Sequence, residues 1–166
     1  MTCPSICPEI ASAEYTHLLR KRMSEFAPPL SASMEWTFRC NLACRHCYAR
    51  FKGHEQWDEA GPALEAAMEN LAKAGVLFLT ITGGDPLARR DFKKLYLRAK
   101  ELGFVISLFT NATLVSAEMA AFLAAHPPRR VEVTTYGATV ETYESVTQTP
   151  GSFKRFQHGL GQLMEK

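Results

Sequence analysis

Three cysteines fall within eight positions of one segment, Cys40-Asn-Leu-Ala-Cys44-Arg-His-Cys47-Tyr48. Thiolates with gaps of three and two residues can wrap one side of a compact metal centre. A structural zinc site takes a fourth protein ligand. His46 and His54 are the candidates, although His46 lies between two of the cysteines, an awkward place from which to reach the same ion. A cubane iron–sulfur cluster held by three thiolates leaves its fourth iron open. An open iron can bind a small molecule and pass it an electron at low potential. The spacing leaves both readings standing, with three unmetallated buried thiols as the plain alternative. Cys3 and Cys7 repeat the three-residue gap but lie among prolines, and they read as incidental thiols.

A second segment able to meet a ligand is Gly83-Gly84-Asp85-Pro86. Two glycines let the backbone approach a ligand, or take positive φ, without a Cβ clash. Asp85 and exposed carbonyls can accept hydrogen bonds from an ammonium group. On its own the segment reads as a plain turn. Its weight comes from its place after a strand.

The elements that position these segments follow from hydrophobic pattern. Met34 to Phe38 alternates apolar and polar residues, and Val76 to Thr82, Phe104 to Phe109 and Val131 to Thr135 are β-branched or aromatic runs. Helical spacing links Leu64, Ala67, Met68, Leu71 and Ala74, with Pro62 in the first turn and Gly75 as the stop. Asp91, Ser116 and Ser152 are predicted to cap three further helices. Ala11 to Arg22 is predicted as a short helix and Ala27-Pro28-Pro29 as a linker. Strand–helix repeated four times predicts an α/β fold with right-handed crossovers and a parallel sheet. Function in such sheets gathers after the strand C-terminal ends. Four loops are selected: Arg39 to Lys52, Gly83 to Arg90, Thr110 to Val115 and Tyr136 to Thr142.

With these residues in place, the chain resembles the radical S-adenosylmethionine (SAM) enzymes. The resemblance rests on the triple-cysteine spacing after the first strand and Gly83-Gly84-Asp85-Pro86 after the second. Thr110-Asn111-Ala112-Thr113-Leu114 looks like the family's Thr-Asn-Gly-Thr-Leu segment. Val131 to Ala138, Thr147 and the Pro150-Gly151-Ser152-Phe153 turn resemble the subgroup that modifies peptides and proteins, many of which carry a C-terminal SPASM module. The resemblance implies a partial (β/α) barrel and a [4Fe–4S] cluster on Cys40, Cys44 and Cys47. It also implies SAM on the open iron, one-electron cleavage to a 5′-deoxyadenosyl radical, and an electron donor such as flavodoxin or ferredoxin. By the same resemblance His46 lies against the adenine, Gly83 to Pro86 receive the methionyl amine, and Thr134 reaches the ribose or carboxylate. Asn111 belongs to the same pocket. Two positions depart from the pattern: Asp85 stands for the usual glutamate, and Ala112 for a common glycine.

Composition bounds the rest. The 166 residues are 46% hydrophobic and 22% charged with a net charge of +2, as in an ordinary globular chain and unlike a dedicated nucleic-acid binder. The short basic clusters are scattered and read as solvated faces. No apolar run reaches the roughly 18 residues of a membrane span, and no secretory signal is visible, so a cytoplasmic protein is expected. Five cysteines, an odd number, suit a metal site better than a disulfide framework. Trp36 and Trp57 read as packing residues, and His17, His126 and His158 carry no partner pattern.

Residues 1–33 are predicted as an N-terminal extension and linker, and 34–166 as the radical SAM core. The family barrel has six strand–helix units, of which about four are present. The expectation is a fragment ending at Lys166 inside the barrel. If 166 residues were the whole product, poor cofactor retention or a partner chain completing the wall would follow. The leading reading is a radical SAM enzyme acting on a peptide, a small molecule or a peptide-derived cofactor precursor. Haem-modifying and molybdenum-cofactor-type relatives are rivals, and a non-catalytic zinc or iron–sulfur module is the alternative.

Overall fold

The structure, a computed structural model, describes residues 12–26, 29–48 and 58–165. Cys3, Cys7, Ala27, Pro28, His54, Trp57 and Lys166, which figure in the sequence reading, lie outside the described residues.

Four strands form one parallel sheet: β1 (Ser31–Thr37), β2 (Phe78–Gly83), β3 (Val105–Thr110) and β4 (Arg130–Val133). Helices α2 (Gly61–Lys73), α3 (Phe92–Glu101) and α4 (Ala117–Ala125) lie between them in the chain. Helix α1 (Ser12–Phe26) precedes the sheet, and α5 (Val140–Thr147) and α6 (Ser152–Met164) follow it. Strand order is sequential, β1-β2-β3-β4. Right-handed crossovers then put every connecting helix on the same face, since only a reversal of strand order would place helices on both. This is the wall of a (β/α) barrel, four strands wide. No helix among the described residues is long and apolar enough to cross a membrane.

Side-chain alternation divides the sheet. Leu79, Ile81, Ile106 and Leu108 point to the helices and are at most 1% exposed, packed with Leu64, Met68, Leu95 and Leu123. Each such side chain contributes about 1.5–3 kcal/mol by leaving water. Trp36 packs against Phe92 with ring centroids 6.0 Å apart, as expected of a core residue. The opposite face carries a polar row, Ser33, Thr80, Ser107 and Arg130, in register across the four strands, flanked by Phe78, Val105 and Phe109.

Several local expectations change. Strand β1 begins at Ser31, three residues before Met34, and α1 extends to Phe26 rather than Arg22. Ser116 caps α4 through Met119 N as predicted. Asp91 does not cap α3, because its carboxylate is taken by the Arg89 guanidinium in a bidentate pair at 2.8 Å. Ser152 lies inside α6; the cap is Gly151 at φ 74°, and the Ser152 hydroxyl is bonded to Thr147 at 2.8 Å. Helix α5 was not foreseen. It is short and rich in Thr and Val, and it is held by a capping box between Thr139 and Thr142.

Helix α6 presses on the turn that follows β3. A Cβ at Gly159 would collide with the carbonyl oxygen of Ala112, whereas a Cβ at Gly161 would meet nothing within 4 Å. Gly159→Ala is therefore expected to lower stability by about 1–3 kcal/mol. Gly161→Ala should raise it by about 0.5–1 kcal/mol through helix propensity. Urea unfolding of the two variants beside the parent chain measures both, and equal midpoints would contradict the packing described.

Candidate functional site

The carboxyl ends of the strands open onto a cavity of about 230 Å³. Cys40, Cys44 and Cys47 all line it, so one loop delivers the three predicted sulfurs to one space. His46, Gly83, Gly84, Asn111 and Thr134 line it as well. Asp85 and Pro86 do not; both are buried outside the cavity lining. Thr82 and Phe109, at the ends of β2 and β3, and Tyr136 and Tyr48 complete the wall.

The two glycines at the end of β2, Gly83 its last residue and Gly84 the next, are required by the backbone beside them. Gly83 has φ 134°, and a Cβ there would strike the Thr37 carbonyl; a Cβ on Gly84 would strike the carbonyl of Arg39. This closeness lets Gly84 N donate to Thr37 O at 2.7 Å and Asp85 N to Arg39 O at 2.9 Å. The second loop is thus stitched to the residue before Cys40. The Asp85 carboxylate, fully buried, does the rest. Its Oδ1 accepts Leu87 N at 3.0 Å, capping a short 3-10 turn at Pro86–Ala88. Its Oδ2 accepts Thr110 Oγ1 and Asn111 N, both at 2.9 Å. Burial pushes the Asp85 pKa up, while these three donors pull it back.

The cysteine loop is pinned on its other side by the end of α5. Ala43 N and Arg45 N donate to the carbonyls of Thr147 and Val146 at 3.0 Å each. At its start, Asp58 accepts Phe38 N and Thr37 Oγ1, both at 2.6 Å. Cys40 is exposed as a residue, yet its Sγ accepts Leu42 N at 3.4 Å and Asn111 Nδ2 at 3.6 Å. Burial of the sulfur pushes its pKa up to about 11 against the Leu42 N–H, and negative charge on Asp85, Cys44 and Cys47 adds to the rise. Cys44 is buried and takes a hydrogen bond from Tyr136, whose pKa is pushed up by its own burial and by that thiol. Tyr136 also packs on His46, with ring centroids 5.3 Å apart, and edge-on against Tyr143 at 5.6 Å. Tyr48 is exposed and donates to Glu35 at 2.7 Å.

The donor set is three thiols around a cavity. Soft thiolates suit zinc or an iron–sulfur centre. Among the described residues no three His, Cys, Asp or Glu side chains converge tightly enough for a single metal ion. Three thiols lining one cavity are a donor set that suits a cluster with three sulfur ligands. Sequence reasoning missed Asp58, and it quoted Asn41, Thr113 and Tyr136 only within motifs, without a role of their own. Their signal is polarity or aromaticity at loop positions, which has no period to betray it.

A model of the radical SAM superfamily matches residues 34–166. The chain is 28% identical over 151 residues to an AdoMet-dependent heme synthase of Nitratidesulfovibrio vulgaris, covering 87% of this chain and 40% of that protein. It is 32% identical over 137 residues to the mycofactocin maturase MftC of Mycobacterium ulcerans, covering 81% of this chain and 36% of that one. In three dimensions it is similar to anSMEcpe solved with bound AdoMet and the Cp18Cys peptide. That match has a TM-score of 0.66 and 22% identity, and it covers 83% of this chain and 40% of the other. The chain thus spans about 36–40% of the length of these proteins.

Asp85→Asn keeps the shape of the side chain but sets an amide N–H₂ against a backbone N–H on one side or the other. The variant is expected to lose about 1–3 kcal/mol of stability at neutral pH, the cost of unsatisfied buried donors. Denaturant midpoints read this directly, and an unchanged midpoint would contradict the bonding assigned to the carboxylate.

Proposed function

The chain belongs to the radical SAM superfamily, and on that premise we propose that Cys40, Cys44 and Cys47 are the protein ligands of its [4Fe–4S] cluster. The family's cofactors are that cluster and SAM. The observation that carries the residue assignment is the convergence of all three thiols on one cavity, at the strand ends, with the second and third loops as its walls. When bound, cluster and SAM supply one-electron chemistry that removes a hydrogen atom from an unreactive carbon.

The chain's own residues bind and orient. His46 and Thr134 both line the cavity, where His46 offers a ring face to an adenine and Thr134 a hydroxyl to a ribose or carboxylate. Gly83 and Gly84 offer backbone carbonyls to an ammonium group. Asp85 acts from behind: its carboxylate holds Asn111 and its backbone N–H holds Arg39 at the start of the cysteine loop, so a direct contact with SAM is not needed for its effect. Residues 34–166 are proposed as the catalytic core and 1–33 as an extension. The electron comes from a low-potential carrier of the flavodoxin or ferredoxin class.

The substrate class we favour is a peptide or a peptide-derived cofactor precursor. The similarity to a mycofactocin maturase and to a structure holding a peptide supports it. A tetrapyrrole is the second reading, favoured by the similarity to a heme synthase.

Reconstituted anaerobically with iron and sulfide, the protein is expected to turn brown and to hold about four irons and four sulfides per chain. Cys40→Ala, Cys44→Ala and Cys47→Ala should each lose the cluster and bring reductive SAM cleavage to background. A colourless protein keeping one zinc per chain would overturn the assignment, as would SAM cleavage surviving in any of the three variants.

A further inference from the structure

Resting on the reading of Cys40 as a cluster ligand, we propose that Asn111 is a positioning residue that raises the reduction potential of the cluster through the Cys40 sulfur. Asn111 is 7% exposed, and its Nδ2 lies 3.6 Å from Cys40 Sγ. The orientation of its amide is fixed by its neighbours. Oδ1 accepts the backbone N–H of Thr113 at 2.8 Å and the Thr113 hydroxyl at 2.5 Å. A backbone N–H can only donate, so Oδ1 must face Thr113 and Nδ2 must face the sulfur.

Asn41 completes a closed ring. Its Oδ1 accepts from Asn111 Nδ2 at 3.2 Å, and its Nδ2 donates to Thr113 Oγ1 at 2.7 Å. Each link of the ring pairs a donor with an acceptor, and the backbone of Asn111 is held by Asp85 at 2.9 Å. Turning the amide over would break the ring and oppose two N–H groups. The two amide protons are therefore directed at Cys40 and Asn41. With the Leu42 N–H at 3.4 Å, Cys40 Sγ carries two donors.

A donor on a ligand sulfur favours the more negative state of a cluster. Reduction adds an electron whose charge is shared with the thiolates, so the N–H···S bond strengthens on reduction and the potential rises. Removing the donor makes the cluster harder to reduce. The structure places this control on a side chain previously expected only to line the cofactor pocket.

The test is the midpoint potential of the reconstituted cluster without SAM, followed by electron paramagnetic resonance, for the parent, Asn111→Ala, Asn111→Asp and Asn41→Ala. Iron content and circular dichroism confirm loading and fold. Asn111→Ala should be reduced about tenfold less favourably, a fall of about 59 mV for a one-electron couple. Asn111→Asp, which turns an acceptor toward the sulfur, should fall further, and Asn41→Ala should fall less. Loaded Asn111 variants with the parental potential would overturn the proposal. If the Asn111 variants fail to load, Asn41→Ala decides: a lowered potential supports the proposal and an unchanged one overturns it. If the parent itself forms no four-iron cluster, the ligand assignment fails first and this inference falls with it.

Discussion

A single buried carboxylate ties the functional end of this sheet together. Asp85 receives three hydrogen bonds through its side chain, and its own N–H reaches Arg39, the residue before the first cysteine. It thereby joins three loops that approach one another only at the strand ends. Burying a carboxylate is unfavourable unless its lone pairs are filled, and here the donors come from the structure that the carboxylate holds. Aspartate is also the apt length. As the cap of the short Pro86–Ala88 turn it reaches Leu87 N, a geometry in which Asp outperforms longer acids.

From that clasp the arrangement of the cavity follows. The cysteine loop is fastened at its base by Asp58 and along its length by the last carbonyls of α5, and its three thiols line one space. Cys40 meets the Asn111 amide and Cys44 the Tyr136 phenol, and these four line the same cavity as Cys47 and His46. On the sheet face away from the helices the polar row through Ser33, Thr80, Ser107 and Arg130 runs in register across all four strands.

Much of this was legible in the sequence because it has period or spacing. The four strands and the helices between them came from apolar runs and helical repeats, and the three sulfurs from their gaps. What escaped was set by tertiary partners. Helix α5 is too short and too β-branched for its pattern to count, and a threonine capping box stabilises it only in place. Asp91 looked like a cap, but the neighbouring guanidinium claimed it. Gly83 and Gly84 looked suited to admitting a ligand, and their first use is to admit the backbone from Thr37 at the end of β1 to Arg39. The side chains that brace the sulfurs sit in loops, where only the folded chain says who meets whom.

Ala112 occupies the left-handed region at φ 61°, where an alanine is strained by roughly 1 kcal/mol relative to glycine. The turn survives because Thr110 Oγ1 accepts its N–H at 3.1 Å, Val115 N takes its carbonyl at 3.1 Å, and Gly159 lies flat against that carbonyl. The residue immediately before it is Asn111. Positions 112 and 159, far apart in the chain, are therefore a single unit of mutational drift. A larger residue on the helix is tolerable only once the turn has moved, and a moved turn re-aims the amide beside Cys40. A substitution at either position therefore acts on one shared turn and, through it, on the amide beside Cys40.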